Sequence, residues 1–447
     1  MKEFQDNYIA RLNQVHLKLL MLRQSQFVGT RTLALSIKFL TMSMRFKHTR
    51  ELIKPHIENI LFNISLPLFL TSEKDLITFE SDPIEYVRLQ VDHQNELNVK
   101  RQLSMLVDKM CSLRYGKRRD NCAPVHLKRY METILGNLNE MKGADNATEA
   151  LLYAFGNLRE KCLWNNQPDM MQMMQAVIQN YAFPNLSSPS PLMVSRACWV
   201  YAKFGVFQFE NDAEHLAAAV EKIVNNLYSH HIAVKVEAAL AISELLDHQV
   251  VQEIIRPALG NVLKVFLKIM DEIDFEDLVG ALRKIVDIYE NDIAPYAVSL
   301  CQKLSEAYVR CVKNKGSNDD EDNEAGLTAD GLMTAVRRVL NSISGKFPHL
   351  YPQLEEILEQ SIYTTLSEPG HTHADEGLTV IAELIYNQNE VSQRMWGIYQ
   401  HIISIYIQDH EWMRDLIGQA SVPLINFMVK SPEVFKTANF QGQGTPL

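Results

Sequence analysis

Apolar residues recur along this chain at the period of an α-helix. After Phe275, residues Leu278, Val279, Leu282, Ile285, Val286 and Tyr289 form one stripe on a helical surface. Leu332, Ala335, Val336, Val339, Leu340 and Ile343 repeat the pattern, and so do Leu378, Ile381, Ala382 and Ile385. Strand-type alternation is almost absent. Short polar breaks at 185–191, 229–231, 290–292 and 367–375 carry Asn, Ser, Asp, Pro or Gly, the residues of turns and caps.

The stripes themselves recur. Anchored on their first apolar residue, they begin at Val99, Ala147, Val194, Val234, Leu278, Leu332 and Leu378, with spacings of 48, 47, 40, 44, 54 and 46 residues. Helical-hairpin repeats of the HEAT and armadillo type run at about 40–47 residues. The segment AVKVEAALAISELL fits the HEAT helix best, its small residues letting two antiparallel helices approach closely. The expected fold is therefore all-α, a HEAT/armadillo-type α-solenoid of antiparallel helical hairpins. It is read as continuous over residues 1–434, with a disordered tail over 435–447. An irregular all-α domain is the competing reading. The repeat reading predicts that Trp199 and Ala238 are largely buried between neighbouring hairpins, and that each repeat buries its stripe against its neighbours. It also predicts exposed apolar stripes on the first and last hairpins, with Leu17, Leu20, Leu22, Ile425 and Phe427 as the residues to inspect.

The long spacing of 54 points to an insertion. Residues 316–326 hold Asp319, Asp320, Glu321, Asp322 and Glu324, with no apolar side chain larger than Ala. Such a segment cannot pack, so it is read as an acidic inter-helix loop. Its five charges are half of the chain's net charge of −10, which balances 44 Lys+Arg against 54 Asp+Glu. These five side chains are the candidate partner-binding residues, forming an acidic clamp for a Lys/Arg-rich protein; a solvated linker is the plainer alternative. An acidic chain has no whole-molecule electrostatic reason to seek nucleic acid or an anionic membrane. With 47% hydrophobic and 22% charged residues, and only 18 Gly and 16 Pro, the 447-residue chain reads as packed rather than disordered. Its six cysteines lack CxxC spacing and sit among apolar neighbours, as buried thiols of a reducing compartment do. The opening residues lack a signal-peptide core, and the apolar-leaning stretch Ile60–Leu70 is too short to span a bilayer. A soluble intracellular protein is expected.

Catalytic chemistry is mostly missing. Neither GxGxxG nor GxxxxGK[ST] occurs, and His410-Glu411 opens an HExxH motif that fails because Arg414 stands in the second His position. His371, His373 and Asp375 are read as turn chemistry, with Asp375 as a helix cap. His230-His231 is read as a turn, Lys117–Arg119 as an exposed loop, and the Met170–Met174 run as core filling. No catalytic residue, metal site or cofactor is predicted, and no enzymatic activity.

Four stretches resemble one family. Ser81-Asp-Pro-Ile-Glu-Tyr-Val-Arg-Leu89, Val194-Ser-Arg-Ala-Cys-Trp-Val200, Val234-Lys-Val-Glu-Ala-Ala-Leu240 and Lys54-Pro-His-Ile-Glu58 are similar to elements of the importin-β superfamily of nuclear transport receptors. Their order and spacing over about residues 30–345 most resemble the importin seven and importin eight branch. The resemblance implies a receptor that binds protein cargo for passage through the nuclear pore, regulated by the GTPase Ran. Its implied partners are basic cargo such as ribosomal proteins or histones, nucleoporins and importin β. No direct nucleic-acid contact and no membrane insertion are implied. The implied location is cytoplasm and nucleus, including the nuclear envelope. The chain resembles the central part of such a receptor, so Ran binding is expected to need repeats that precede it. A static HEAT-repeat scaffold for a multiprotein complex is the alternative function.

Overall fold

The computed structural model describes residues 8–91, 97–113, 124–141, 144–164, 167–205, 213–273, 275–314, 322–368, 370–408 and 411–437. They fall into two compact units, Met1–Val251 and Gln252–Leu447. Both are built of helices, and no strand occurs among the described residues. The all-α hairpin architecture expected from the periodicity is the one observed.

Helices of nine or more residues are numbered in chain order. The first unit contains α1 (Ala10–Leu22), α2 (Thr30–Ser43), α3 (Glu73–Ser81), α4 (Pro83–Val91), α5 (Val99–Cys111), α6 (Val125–Glu140), α7 (Asp145–Asn157), α8 (Pro168–Val177), α9 (Pro191–Lys203), α10 (Ala213–Asn226) and α11 (Ile232–Leu245). The second contains α12 (Leu259–Glu272), α13 (Glu276–Ile288), α14 (Ala297–Asn314), α15 (Asp322–Ile343), α16 (Tyr351–Thr365), α17 (Ala374–Tyr386), α18 (Gln393–Ile407) and α19 (Ile417–Lys430).

Packing in the second unit alternates. Helices α13, α15, α17 and α19 contact one another in sequence, and α12, α14, α16 and α18 do the same. Two parallel layers result, each hairpin contributing one helix to each. The stripes explain this: α12 buries Leu259, Val262, Leu263, Phe266, Ile269 and Met270 while its lysines face outward. In the first unit, α2, α5, α7, α9 and α11 form the corresponding layer. Helix α11 is buried almost all round, because α9, α10 and α4 cover it from different sides. Hairpins are also joined by side-chain amides. Asn226 donates to the Leu186 carbonyl at 3.0 Å, and Asn426 to that of Ala382 at 3.0 Å. Gly345, at φ 67°, supplies the left-handed turn that ends α15, and its N–H donates to Asn387 Oδ1.

Several local expectations need correction. Residues 322–326 of the expected acidic loop belong to helix α15. Asp319, Asp320 and Glu321 lie outside the described residues, as do Lys117–Arg119 and Cys122. The short helix Pro432–Thr437 runs into the expected tail, with Pro in its favoured first position. Asp375 lies inside the first turn of α17 and is not its cap; His373 occupies the cap position. Ala238 is buried as expected, and Trp199 is mostly covered, though not fully buried. Leu17 and Leu20 are buried, while Leu12, Val15 and Leu22 of α1 are exposed. Met170 and Met174 fill the core, and Cys111, Cys162, Cys198, Cys301 and Cys311 are buried free thiols. No described helix is long and apolar enough to cross a membrane.

Candidate functional site: a buried charge cluster under a helical strap

Helices α2 and α5 pack directly on each other, although α3 and α4 intervene in sequence. The chain leaves the stack at Thr71 and returns by Lys100, whose Nζ donates to Thr71 Oγ1 at 2.9 Å. Residues 72–91 of the intervening stretch form a strap. Ser72 and Asp75 close a capping box that starts α3, and the Asp82 carboxylate accepts the Glu85 N–H at 3.1 Å to start α4. Pro83 occupies the first position of α4, where its missing N–H costs nothing.

The strap lies on the layer beneath it and reaches α11. The Phe79 ring stacks on His231 at 4.1 Å and meets Tyr86 edge-on at 5.0 Å. His231 Nε2–H donates to the Phe79 carbonyl at 3.0 Å. Tyr86 is buried beside Arg196, Glu149 and Glu237, and burial pushes its hydroxyl pKa well up.

Under the strap sits Glu149 of α7, with 0% of its side chain exposed. One carboxylate oxygen accepts from Arg196 Nε at 2.8 Å and lies 2.7 Å from Arg196 Nη2. The other accepts from Thr71 Oγ1 at 2.6 Å, with Lys100 Nζ at 3.9 Å. Thr71 is fixed in turn by Asn146, whose side chain bonds both its N–H and its carbonyl. Burial alone raises the Glu149 pKa; Arg196 and Lys100, with the hydrogen bonds, outweigh it and hold the carboxyl below its usual range. Burial lowers Lys100, and Glu149 offsets part of that.

Aromatic rings and cations alternate on this layer. Lys100 lies over Tyr153 at 5.7 Å, Arg196 over Tyr153 at 4.7 Å and over Trp199 at 4.6 Å, and Lys203 over Trp199 at 5.5 Å. Tyr153 and Trp199 stack at 5.5 Å. The indole needs Gly156 beneath it, where a Cβ would stand 2.0 Å from its ring. Gly156→Ala should therefore cost about 1–3 kcal/mol in a urea unfolding titration, the usual penalty for overpacking.

Three of the four family-like stretches thus meet: Tyr86, Arg196 and Glu237 belong to them. Lys54–Glu58 stands apart, its Lys54 paired with exposed Glu51 and its Glu58 with Arg129. Glu149, Lys100 and Thr71 were not singled out from the sequence. The available signal was a lone carboxylate among the apolar positions of α7, one repeat before Arg196 among those of α9. The cluster holds opposed charges in mutual contact and offers no activated nucleophile. Among the described residues no group of three His, Cys, Asp or Glu is placed to hold a metal. The acidic candidates belong to the other unit, where Asp322 and Glu324 lie in the first turn of α15.

No family model matches the chain. It is 29% identical over 431 residues to the importin beta-like SAD2 homologue of Arabidopsis thaliana, covering 95% of this chain and 41% of that protein. Importin-8 of Danio rerio is 28% identical over 374 residues, covering 82% of this chain and 35% of its own. The chain resembles importins along nearly its whole length. It spans well under half of these relatives. Among solved structures, the cargo-free, cytoplasmic state of the exportin Cse1 superposes with a TM-score of 0.69 at 15% identity, covering 96% of this chain and 45% of that one. Kap95, solved with RanGDP and with Nup1, gives TM-scores of 0.51 and 0.52 at 14% identity, covering 97% and 99% of this chain and 56% and 55% of theirs. These structures share the importin-like fold, which is the expected one.

Burial lowers the pKa of His231 from its ordinary 6.5 and also lowers those of His16, His126 and His401. A depressed folded-state pKa favours the neutral ring. The associated stability is present above 6.5 and lost as pH falls through the lower folded values. The urea midpoint should drop between about pH 7.5 and about pH 5.5. His231→Gln should flatten part of that drop; an unchanged pH profile would remove His231 from the account.

Proposed function

We propose that the chain is a cargo-binding part of an importin-like nuclear transport receptor, working between cytoplasm and nucleus. Its resemblance to importins along nearly its full length is the observation that carries this reading. The stacked hairpins support it, since contacts made mostly between neighbouring hairpins let small changes per repeat add into a surface that adapts to a protein partner. Ran and nucleoporins are proposed partners of the whole receptor, by analogy with Kap95, whose solved structures include RanGDP and Nup1. Basic protein cargo is proposed from the acidic segment Asp319, Asp320, Glu321, Asp322 and Glu324 and from the chain's net charge of −10.

A pull-down with and without GTP-loaded Ran tests the reading. Bound basic proteins should be released by GTP-loaded Ran when the neighbouring repeats of the receptor are present; a Ran-insensitive set favours the scaffold alternative. Replacing the five acidic residues by Ser or Asn should weaken binding of a basic cargo at low salt and change little at high salt. Each exposed pair contributes only about 0.2–1 kcal/mol, so single substitutions should be nearly silent. A fivefold variant that binds as tightly as the native chain at both salts would leave the segment a linker.

A further inference from the structure

We propose that the outward stripes of the α1–α2 hairpin are a docking surface for an acidic amphipathic helix of a protein partner. The carboxylates and aliphatic side chains of that helix alternate along one stripe. The proposal does not depend on the transport reading.

Local charge points to it first. Residues 8–50 hold eight Lys/Arg and no Asp or Glu, within a chain of net charge −10. Arg11, Lys18, Arg23, Arg31 and Arg45 are exposed, and none of them forms an ion pair among the described residues. Elsewhere exposed cations do pair, as Lys128 does with Asp169 and Arg129 with Glu58. The hairpin therefore offers cations that no carboxylate of its own neighbourhood neutralises, and it attracts an acidic segment.

Spacing then specifies the partner. Helix α1 carries Arg11, Val15, Lys18 and Leu22, and α2 carries Arg31, Leu35, Lys38 and Met42, each 20 residues after its counterpart. Both sets read cation, aliphatic, cation, aliphatic at i, i+4, i+7 and i+11, which holds each within about 60° of its helix's circumference. Val15, Leu22, Leu35 and Met42 are 51%, 40%, 42% and 49% exposed. The other side of each helix is the packed one, where Asn13, Leu17 and Leu20 of α1 and Leu33, Ile37 and Leu40 of α2 are buried.

Stripes that join hairpins in this protein carry no charge, as Leu278, Leu282 and Ile285 of α13 show. A hairpin stacked on α1 or α2 in that manner would bury unpaired cations, which is costly. A nucleic-acid backbone would meet the cations and leave the aliphatic side chains uncovered. A bilayer suits helices whose cations stand on a separate polar face, not between the apolar residues. A helix with Glu and Leu alternating at the same period satisfies both halves of the pattern.

The test titrates the full chain with a fluorescein-labelled synthetic helix. Its Glu and Leu alternate at the i, i+4, i+7 and i+11 spacing on an Ala–Gln background; a permuted peptide of the same composition puts Glu and Leu on opposite faces. Anisotropy should show the matched peptide binding about tenfold or more tighter than the permuted one. Arg11→Glu with Lys18→Glu, or Arg31→Glu with Arg45→Glu, should weaken it about tenfold at low salt and less at high salt. Val15→Ser with Leu35→Ser should weaken it severalfold at both salts. All these positions are exposed, so the thermal transition should persist, and Gln in place of Glu serves where a reversed chain fails to fold. A loss in one charge-reversed pair alone places the partner segment on that helix. Equal binding of the two peptides, or unchanged affinity in both charge-altered chains, overturns the proposal. So does a thymidine oligonucleotide or a phosphatidylserine vesicle that binds more tightly than the matched peptide and is indifferent to Val15→Ser with Leu35→Ser.

Discussion

Glu149→Gln is expected to destabilise the first unit by about 3–5 kcal/mol, read as a loss of unfolding free energy in urea. The carboxylate is fully buried and takes two contacts from Arg196, one hydrogen bond from Thr71 and the charge of Lys100. Gln keeps the volume and removes the charge. Arg196 and Lys100 are then left close together in a buried site without their shared anion, and that uncompensated charge is the main cost. Tyr153 and Trp199 soften it by offering ring faces to both cations, but cation–π contacts are weaker than a buried ion pair. The second expectation follows from the same physics. Glu149→Gln combined with Arg196→Met removes both partners and should recover part of the loss, so the two substitutions should be non-additive. Additive losses would show that Glu149 and Arg196 act through separate contacts.

The periodicity made the helices legible. The stripe from Leu278 to Val286 reads directly as α13, and AVKVEAALAISELL as α11, because burying one face of a helix needs an apolar residue every three or four positions. What periodicity does not carry is the identity of the partner face. The stretch containing Tyr86 was visible as a motif, but nothing local says that Phe79 meets His231 across 152 residues. Glu149 was missed for a related reason. A single carboxylate among apolar positions looks like a defect until Arg196 is seen to face it. Trp199 was expected to be largely buried between hairpins; what the sequence did not show is that Gly156 makes room for its ring, since a side chain there would collide with the indole. The acidic segment was legible as charge and not as structure, because acidic residues suit a loop and the first turn of α15 equally well.

Two neighbouring positions on α19 should separate packing from surface. Phe427 has 0% exposure and its ring meets those of Trp396 at 5.3 Å and Tyr399 at 5.1 Å, both on α18. Ile425, two residues earlier, is 54% exposed and shares its outward stripe with Val422 and Val429. Phe427→Ala removes a ring from a filled aromatic cluster and leaves a cavity, so it should cost the second unit about 3–5 kcal/mol. Ile425→Lys leaves the packed side of α19 alone and should change the unfolding free energy by no more than about 0.5 kcal/mol. It should instead reduce self-association at high protein concentration, because Val422, Ile425 and Val429 form an uncovered apolar strip. Unfolding curves of the two variants, with sedimentation of the second, provide the check. A loss of several kcal/mol in Ile425→Lys would mean that this face of α19 is covered in solution.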